Sequence, residues 1–347
     1  MDFLSYLKEH IVVFDGALGT MLQKSAKNIG TVPELLNLER PELIAEIHRA
    51  YAKAGADVIT ANTFGANEKK TGSAALSEKL IKAAVDIARK EAGGRFVALD
   101  IGPVGQLLEP MGSLTFGEAY EIFARQMQAG KGADLILIET MTDLAELKAA
   151  LLAARETTDL PVLCSMTFEQ NGRTFTGCAA DCFALTASPL ADAVGVNCSL
   201  GPKQLLPVVK TILENTEKPV IVQANAGLPD ENFNYNVSAD EFADIYKEML
   251  GMGVRVVGGC CGTTPEYIKK LRALTDGTAP APSPFRRRSA VCSARRLVAI
   301  DGVRVIGERI NPTGKKAMKA ALYEGNYGYV TQQALEQAEA GADILDV

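Results

Sequence analysis

Eight short apolar runs, each ending in glycine or polar residues and separated from the next by a helix-patterned stretch, constrain this chain more than any other feature. They are IVVFDG (11–16), ADVITANTFG (56–65), RFVALDIGP (95–103), ADLILIET (133–140), PVLCSMTF (161–168), AVGVNCS (193–199), PVIVQANAG (219–227) and VRVVGGCCG (254–262). Between them lie segments such as SEKLIKAAVDIARKEAG and SADEFADIYKEMLGMG. Nearly continuous apolarity within a run is the mark of a parallel strand covered on both faces, whereas a half-exposed sheet alternates. Eight strand–helix units predict an α/β protein built on a (β/α)8 TIM barrel, with a doubly wound sheet as the other architecture such a series allows.

In such barrels chemistry gathers where strands end and βα loops begin. The residues closing the runs are Asp15 and Gly16, Asn62 and Thr63, Asp100, Glu139, Asn197 and Cys198, Asn225, and Gly258 through Cys261. Eight strands therefore deliver one polar ring.

The pattern stops near Leu274. Residues 276–298 (DGTAPAPSPFRRRSAVCSARR and its flanks) have the Pro, Ala, Ser and Arg content of a linker. Beyond it VRVIGERIN reads as a strand, YVTQQALEQAEAG as a helix and ADILDV as a strand, repeating the Gly-Ala-Asp step into a strand seen at 55–57. The expected organisation is a barrel over 1–275, a linker over 276–298, and the incomplete start of a second α/β barrel over 299–347. Two strands and one helix cannot close a barrel, so a fragment of a larger protein is expected.

Net charge is −6 and the basic residues are dispersed, which leaves no footprint for nucleic acid. No run approaches the roughly 18 apolar residues of a membrane span, and the N-terminus does not read as a secretory signal, so a soluble, cytoplasmic protein without membrane association is expected. Seven cysteines, an odd number, argue against a disulfide framework. Only two histidines occur, His10 before the first strand and His48 in an amphipathic helix, and both read as surface residues. A catalytic metal must then rely on sulfur or oxygen.

Zinc takes soft, deprotonated ligands in a tetrahedron, and a catalytic site keeps one position open beyond three protein ligands. Cys198 ends the sixth run and Cys260 and Cys261 end the eighth, among Gly258, Gly259 and Gly262, so the trio can meet across the barrel mouth. Cys164 within the fifth run, and Cys178 and Cys182 at helical spacing, read as packing residues; Cys292 reads as an exposed linker thiol without a role.

The motifs FDGALGTMLQ, TANTFGAN, GVNCSLGP, QANAGLP and VVGGCCGTTPEYI, in order at five different strand ends, resemble the homocysteine S-methyltransferase family over residues 8–275. The resemblance implies a zinc-dependent (β/α)8 methyltransferase with Cys198, Cys260 and Cys261 as ligands. It also implies that Asp15, Gly16, Ala17 and Glu139 hold the amino acid end of homocysteine, since loop N–H groups suit a carboxylate and a strand-end glutamate suits an ammonium. Asn62, Thr63 and Asn225 line the same face as expected substrate contacts, with Asn225 a candidate for the fourth zinc position when substrate is absent. A thiol of pKa near 8.5 is largely protonated at neutral pH, and zinc removes that limitation without a separate protein base.

The methyl donor is read from the tail. VIGERINPTGKK (305–316) resembles the start of the pterin-binding barrel of cobalamin-dependent methionine synthases, which implies Glu308 and Asn311 as folate contacts, with cobalamin on a further module and methyltetrahydrofolate as the methyl source. A phosphate loop fails here, because Arg309 stands where glycine is required and Lys316 where serine or threonine is. The alternative is a cobalamin-free enzyme using betaine or S-methylmethionine.

Overall fold

The computed structural model describes residues 2–25, 30–231 and 235–347. Two compact units divide the chain, Met1–Arg286 and Arg287–Val347. In the first, all eight apolar runs are parallel strands: β1 (Val12–Val13), β2 (Val58–Thr60), β3 (Phe96–Ile101), β4 (Leu135–Met141), β5 (Val162–Met166), β6 (Ala193–Asn197), β7 (Val220–Ala224) and β8 (Val256–Gly259). Sequential strands are neighbours, and β1 pairs with β8 through Val12–Val256 and Val13–Val257. A parallel bridge between Phe14 and Val58 joins β1 to β2, so the ring closes and the doubly wound alternative is excluded.

One device recurs at the N-terminal ends of the strands. An aspartate preceded by alanine accepts the backbone N–H of the neighbouring strand: Asp57 from Val13 (2.8 Å), Asp134 from Val97 (2.7 Å) and Asp192 from Val162 (2.8 Å). Arg272, Arg89 and Arg155 pair with the same three carboxylates. These bonds fix the register of adjacent strands at the end opposite the polar ring.

The barrel interior is filled from below. Phe3 and Leu7 of helix Phe3–Glu9 pack against Val12, Phe14, Leu135, Leu163 and Val256, all buried. Each such side chain contributes roughly 1.5–3 kcal/mol by leaving water. Gly195 on β6 shows how tight the wall is: a Cβ there would lie 1.8 Å from the Ile221 carbonyl oxygen.

His48 differs from its expected surface position. In helix Pro41–Ala54 it shares the buried face with Ile44 and Tyr51, its exposure is 0%, and neither ring nitrogen has a hydrogen-bond partner. Burial pulls its pKa down from 6.5 to about 4, against a weaker upward pull from Glu91. His10 is exposed, with Nδ1 3.1 Å from the Tyr6 carbonyl.

In the second unit β9 (Ala290–Cys292) and β10 (Leu297–Ala299) pair antiparallel, so part of the stretch read as linker forms a hairpin. Cys292 is accordingly a partly buried strand residue. Beyond it β11 (Ile306–Gly307) and β12 (Ile344–Leu345) are parallel, connected through helices Lys316–Tyr323 and Tyr327–Glu339. The aspartate device appears again, with Asp343 accepting the Val305 N–H at 3.0 Å. Among the described residues no helix is long and apolar enough to cross a membrane.

Candidate functional site

Cys198, Cys260 and Cys261 converge at the C-terminal face of the barrel, with their three sulfurs within 4.8 Å of one another. Cys198 Sγ and Cys261 Sγ are 3.9 Å apart. Thiolates held tetrahedrally at about 2.3 Å from zinc stand about 3.8 Å from each other, so the spacing fits that ion. No other trio of His, Cys, Asp or Glu among the described residues converges in this way.

The backbone places the sulfurs. The Cys198 N–H donates to the Gln223 carbonyl (3.0 Å) and the Cys260 N–H to the Ala224 carbonyl (2.8 Å), so β7 carries both ligand-bearing turns. Tyr246 Oη fastens β7 to β8, accepting from the Ala224 N–H (2.9 Å) and donating to the Gly258 carbonyl (2.9 Å). Thr263 Oγ1 donates to the Cys260 carbonyl (2.7 Å) and accepts the Ala17 N–H (3.2 Å). Cys198 and Ser199 have φ of 59° and 62°, and Thr140, after Glu139, has 60°. Left-handed conformations in such residues cost about 1–3 kcal/mol each and concentrate at functional sites. Hydrogen bonds from Cys198 and then Cys260 hold the Cys261 thiol well below the ordinary range, while donation to its two neighbours and burial hold Cys260 well above it.

Beside the sulfurs opens a cavity of about 480 Å³. Asp15, Asp100 and Glu139 line it together with Glu34 and Lys70. Asp15 accepts the Thr60 N–H (2.8 Å) and hydroxyl (2.6 Å), yet burial lifts its pKa to about 7. Burial, then the charges of Asp15 and Cys261, push Glu139 up to about 8. Asp100 is held well above the ordinary carboxylate range by burial and then by Glu139, Asp15 and Glu34, and its Oδ1 is buried without a partner. Three carboxyl groups crowded in low dielectric favour a cation among them.

The sequence-predicted residues divide into two groups. Asp15, Gly16, Ala17, Asn62, Glu139, Cys198, Cys260 and Cys261 all line the cavity. Asn62 does so with its amide already engaged, donating to the Pro33 carbonyl and to Asn37 Oδ1. Thr63 stands outside the lining; its hydroxyl donates to the Asp100 carbonyl (2.7 Å) and accepts the Asp100 N–H (3.0 Å), steadying that strand end. Asn225 is 4% exposed, with Oδ1 lacking a partner, and is also outside the lining. Since the Ala17 N–H already serves Thr263, the first turn of helix Leu18–Ser25 offers further lining N–H groups at Leu18, Gly19 and Thr20.

Asn197, placed at its strand end by the sequence, was given no role there, and Glu34 and Lys70 of the lining were not singled out at all. Asn197 lies beneath Glu139: its Oδ1 accepts the Thr140 N–H (2.8 Å) and the Ser165 hydroxyl (2.7 Å), and its Nδ2 faces Glu139 Oε2 at 3.3 Å. Its position before Cys198 at a strand end was the available signal. Of the other cysteines, Cys164 is buried within β5, Cys182 is buried in helix Ala180–Ala187, and Cys178 is buried just before that helix. In the second unit Glu308 is exposed and pairs with Lys315 at 3.2 Å, and Asn311 Oδ1 accepts the Thr313 N–H.

The homocysteine S-methyltransferase family model matches residues 12–275. Methionine synthase of Mycobacterium leprae (strain TN) is 32% identical over 387 aligned residues, covering 100% of this chain and 32% of that protein. Methionine synthase of Mycobacterium tuberculosis (strain ATCC 25618 / H37Rv) is 33% identical over 381, with the same coverage. The chain thus spans about a third of the length of these curated relatives. Among solved structures, the metallated form of the homocysteine methyltransferase MmuM from Escherichia coli superimposes with a TM-score of 0.67 at 24% identity, over 78% of this chain and 98% of that one. That likeness extends to the fold.

Proposed function

The chain belongs to the homocysteine S-methyltransferase family, and we propose that its first unit binds homocysteine at the barrel mouth and activates its sulfur on zinc held by Cys198, Cys260 and Cys261. The observation that carries this reading is the convergence of three sulfurs beside an acid-lined cavity. Held by these three sulfurs, zinc would supply Lewis acidity that favours the deprotonated form of an incoming thiol. The protein's own groups supply the rest. Asp15 and Glu139 take the ammonium, and Asn197 beneath Glu139 keeps that carboxylate turned inward. The carboxylate of the substrate meets the start of helix Leu18–Ser25, where unpaired N–H groups and the helix dipole favour an anion. Gly16 and Ala17 shape that approach, and Asn62 and Thr63 hold the wall. Asn225, with its unpartnered Oδ1, is the residue suited to the fourth metal position before substrate arrives. No side chain is assigned as a general base.

The methyl group comes from methylcobalamin in this reading, regenerated from 5-methyltetrahydrofolate. Alignment of the whole of this chain, residues 276–347 included, with about a third of proteins named methionine synthase supports it over a donor such as betaine or S-methylmethionine. The second unit, Arg287–Val347, is then the start of a pterin-binding barrel, with Glu308 and Asn311 toward the folate. The repeated aspartate device and parallel β11–β12 pair support a barrel beginning. Cobalamin and the remaining folate contacts belong to further modules of a longer protein.

The test is to load the chain with zinc and supply homocysteine with methylcobalamin, S-methylmethionine or betaine in separate reactions. Methionine from methylcobalamin alone is expected, and Cys260→Ala should lose zinc and homocysteine binding together. Full zinc content in that variant would refute the ligand assignment; methionine from a small donor instead would refute the cobalamin reading.

A further inference from the structure

The segment after β7 returns over the cysteine turn. There Tyr235 lies flat on Gly262: a Cβ at that glycine, whose φ is 84°, would come within 2.2 Å of the ring's Cγ and within 2.7 Å of both Cδ atoms. The backbone holding the ring is fastened on both sides. Val237 N–H donates to the Ala226 carbonyl (2.9 Å), the Tyr267 hydroxyl donates to the Val237 carbonyl (2.6 Å), and Tyr235 bridges antiparallel to Pro229. Gly227, with φ of 95°, admits the next residue, since a Cβ there would meet Asn236 Oδ1 at 2.1 Å.

Resting on the zinc reading above, we propose that Tyr235 is a positioning residue of the sulfur cluster, its hydroxyl donating a hydrogen bond to Cys261 Sγ and thereby setting how firmly that sulfur holds metal. Seated on Gly262, the residue after Cys261, the phenol lies within electrostatic reach of all three sulfurs. A phenol is protonated at neutral pH, so its O–H is available to donate. Three thiolates on one dication leave a net negative charge in a site of low dielectric. A donor aimed at one sulfur disperses that charge, and groups in this outer position typically change metal affinity 10–100-fold when removed.

Tyr235→Phe keeps the ring on Gly262 and deletes only the donor. In the full chain, zinc affinity measured by chelator competition should fall roughly 10–100-fold while the protein still binds one ion at saturation. With cobalt(II) in place of zinc, the sulfur-to-metal charge-transfer band should move to longer wavelength, because an unbonded thiolate gives up charge more easily. An unchanged dissociation constant and an unmoved band would overturn the proposal. A wild-type chain that takes up no zinc would instead overturn the metal reading on which it rests.

Discussion

Replacing His48 with leucine should stabilise the first unit, and by an amount that grows as the solution is acidified. The imidazole is fully buried and both ring nitrogens lack partners. Each such atom costs about 1–3 kcal/mol, and leucine, of similar volume, returns part of that at the cost of up to about 1.5 kcal/mol in imperfect packing. A net gain of about 1 kcal/mol is therefore expected at pH 7.5, where the ring is neutral in both folded and unfolded chains. The unfolded chain takes up a proton near pH 6.5 that the folded one refuses until about pH 4. Stability contributed by the neutral ring is thus present above 6.5 and is lost as pH falls toward 4. At about pH 5 the loss amounts to roughly 2 kcal/mol, since each pKa unit is worth about 1.4 kcal/mol. Urea unfolding followed by far-UV circular dichroism, on both proteins at pH 7.5 and 5.0, reads the difference directly. The variant's advantage should widen by about 2 kcal/mol between the two conditions. Because the chain has only two histidines, NMR offers an independent check: the His48 ring signal should stay fixed from pH 8 to 5. An advantage equal at both pH values, or a His48 signal that titrates near 6.5, would refute the reasoning.

Glu139→Gln should weaken homocysteine binding about 10–100-fold, the worth of a charge-assisted hydrogen bond, while zinc content stays at wild-type level; calorimetry on loaded protein separates the two. Gly195→Ala should destabilise the first unit by about 1–3 kcal/mol, because its Cβ would overlap the Ile221 carbonyl; a thermal midpoint within a degree of wild type would contradict the packing described. In Asn225→Ala, X-ray absorption of substrate-free zinc protein should show a change in the oxygen bound to the metal, and an identical spectrum would remove Asn225 from the metal's surroundings.

What was legible in the sequence followed from repetition. Each of the eight strands announced itself because burial on both faces demands an apolar run, and its end was marked by the polar residue or glycine that the loop requires. Cys198, Cys260 and Cys261 were legible for the same reason: they sit where strands stop. Features that depend on side-chain direction were less accessible. Asn62 and Thr63 are adjacent at one strand end, and only coordinates reveal that the Asn62 amide turns to Pro33 and Asn37 while Thr63 supports Asp100. His48 is instructive because the signal was there: four residues after Ile44 and three before Tyr51, it falls on the buried stripe of its own helix. A polar residue type outweighed its phase. Tyr235 lies in a loop without periodicity, so nothing in the sequence placed its ring on Gly262. The β9–β10 hairpin was obscured by the arginines and serines around it.

The pairing of the first strand with the last has a consequence for how this protein is made. Val12 meets Val256, and the Gly259 N–H donates to the Asp15 carbonyl, so the barrel seam and the sulfur cluster are completed by the same stretch of chain. Cys198 leaves the ribosome 63 residues ahead of Cys261. At typical synthesis rates that interval is roughly 3 to 13 seconds. Throughout it β1 has no permanent neighbour on its β8 side, and the Cys198 thiol waits without the two sulfurs it will later face. Ribosome-bound chains halted before residue 256 should therefore react readily with thiol reagents at Cys198, and that reactivity should drop once the eighth strand has been released.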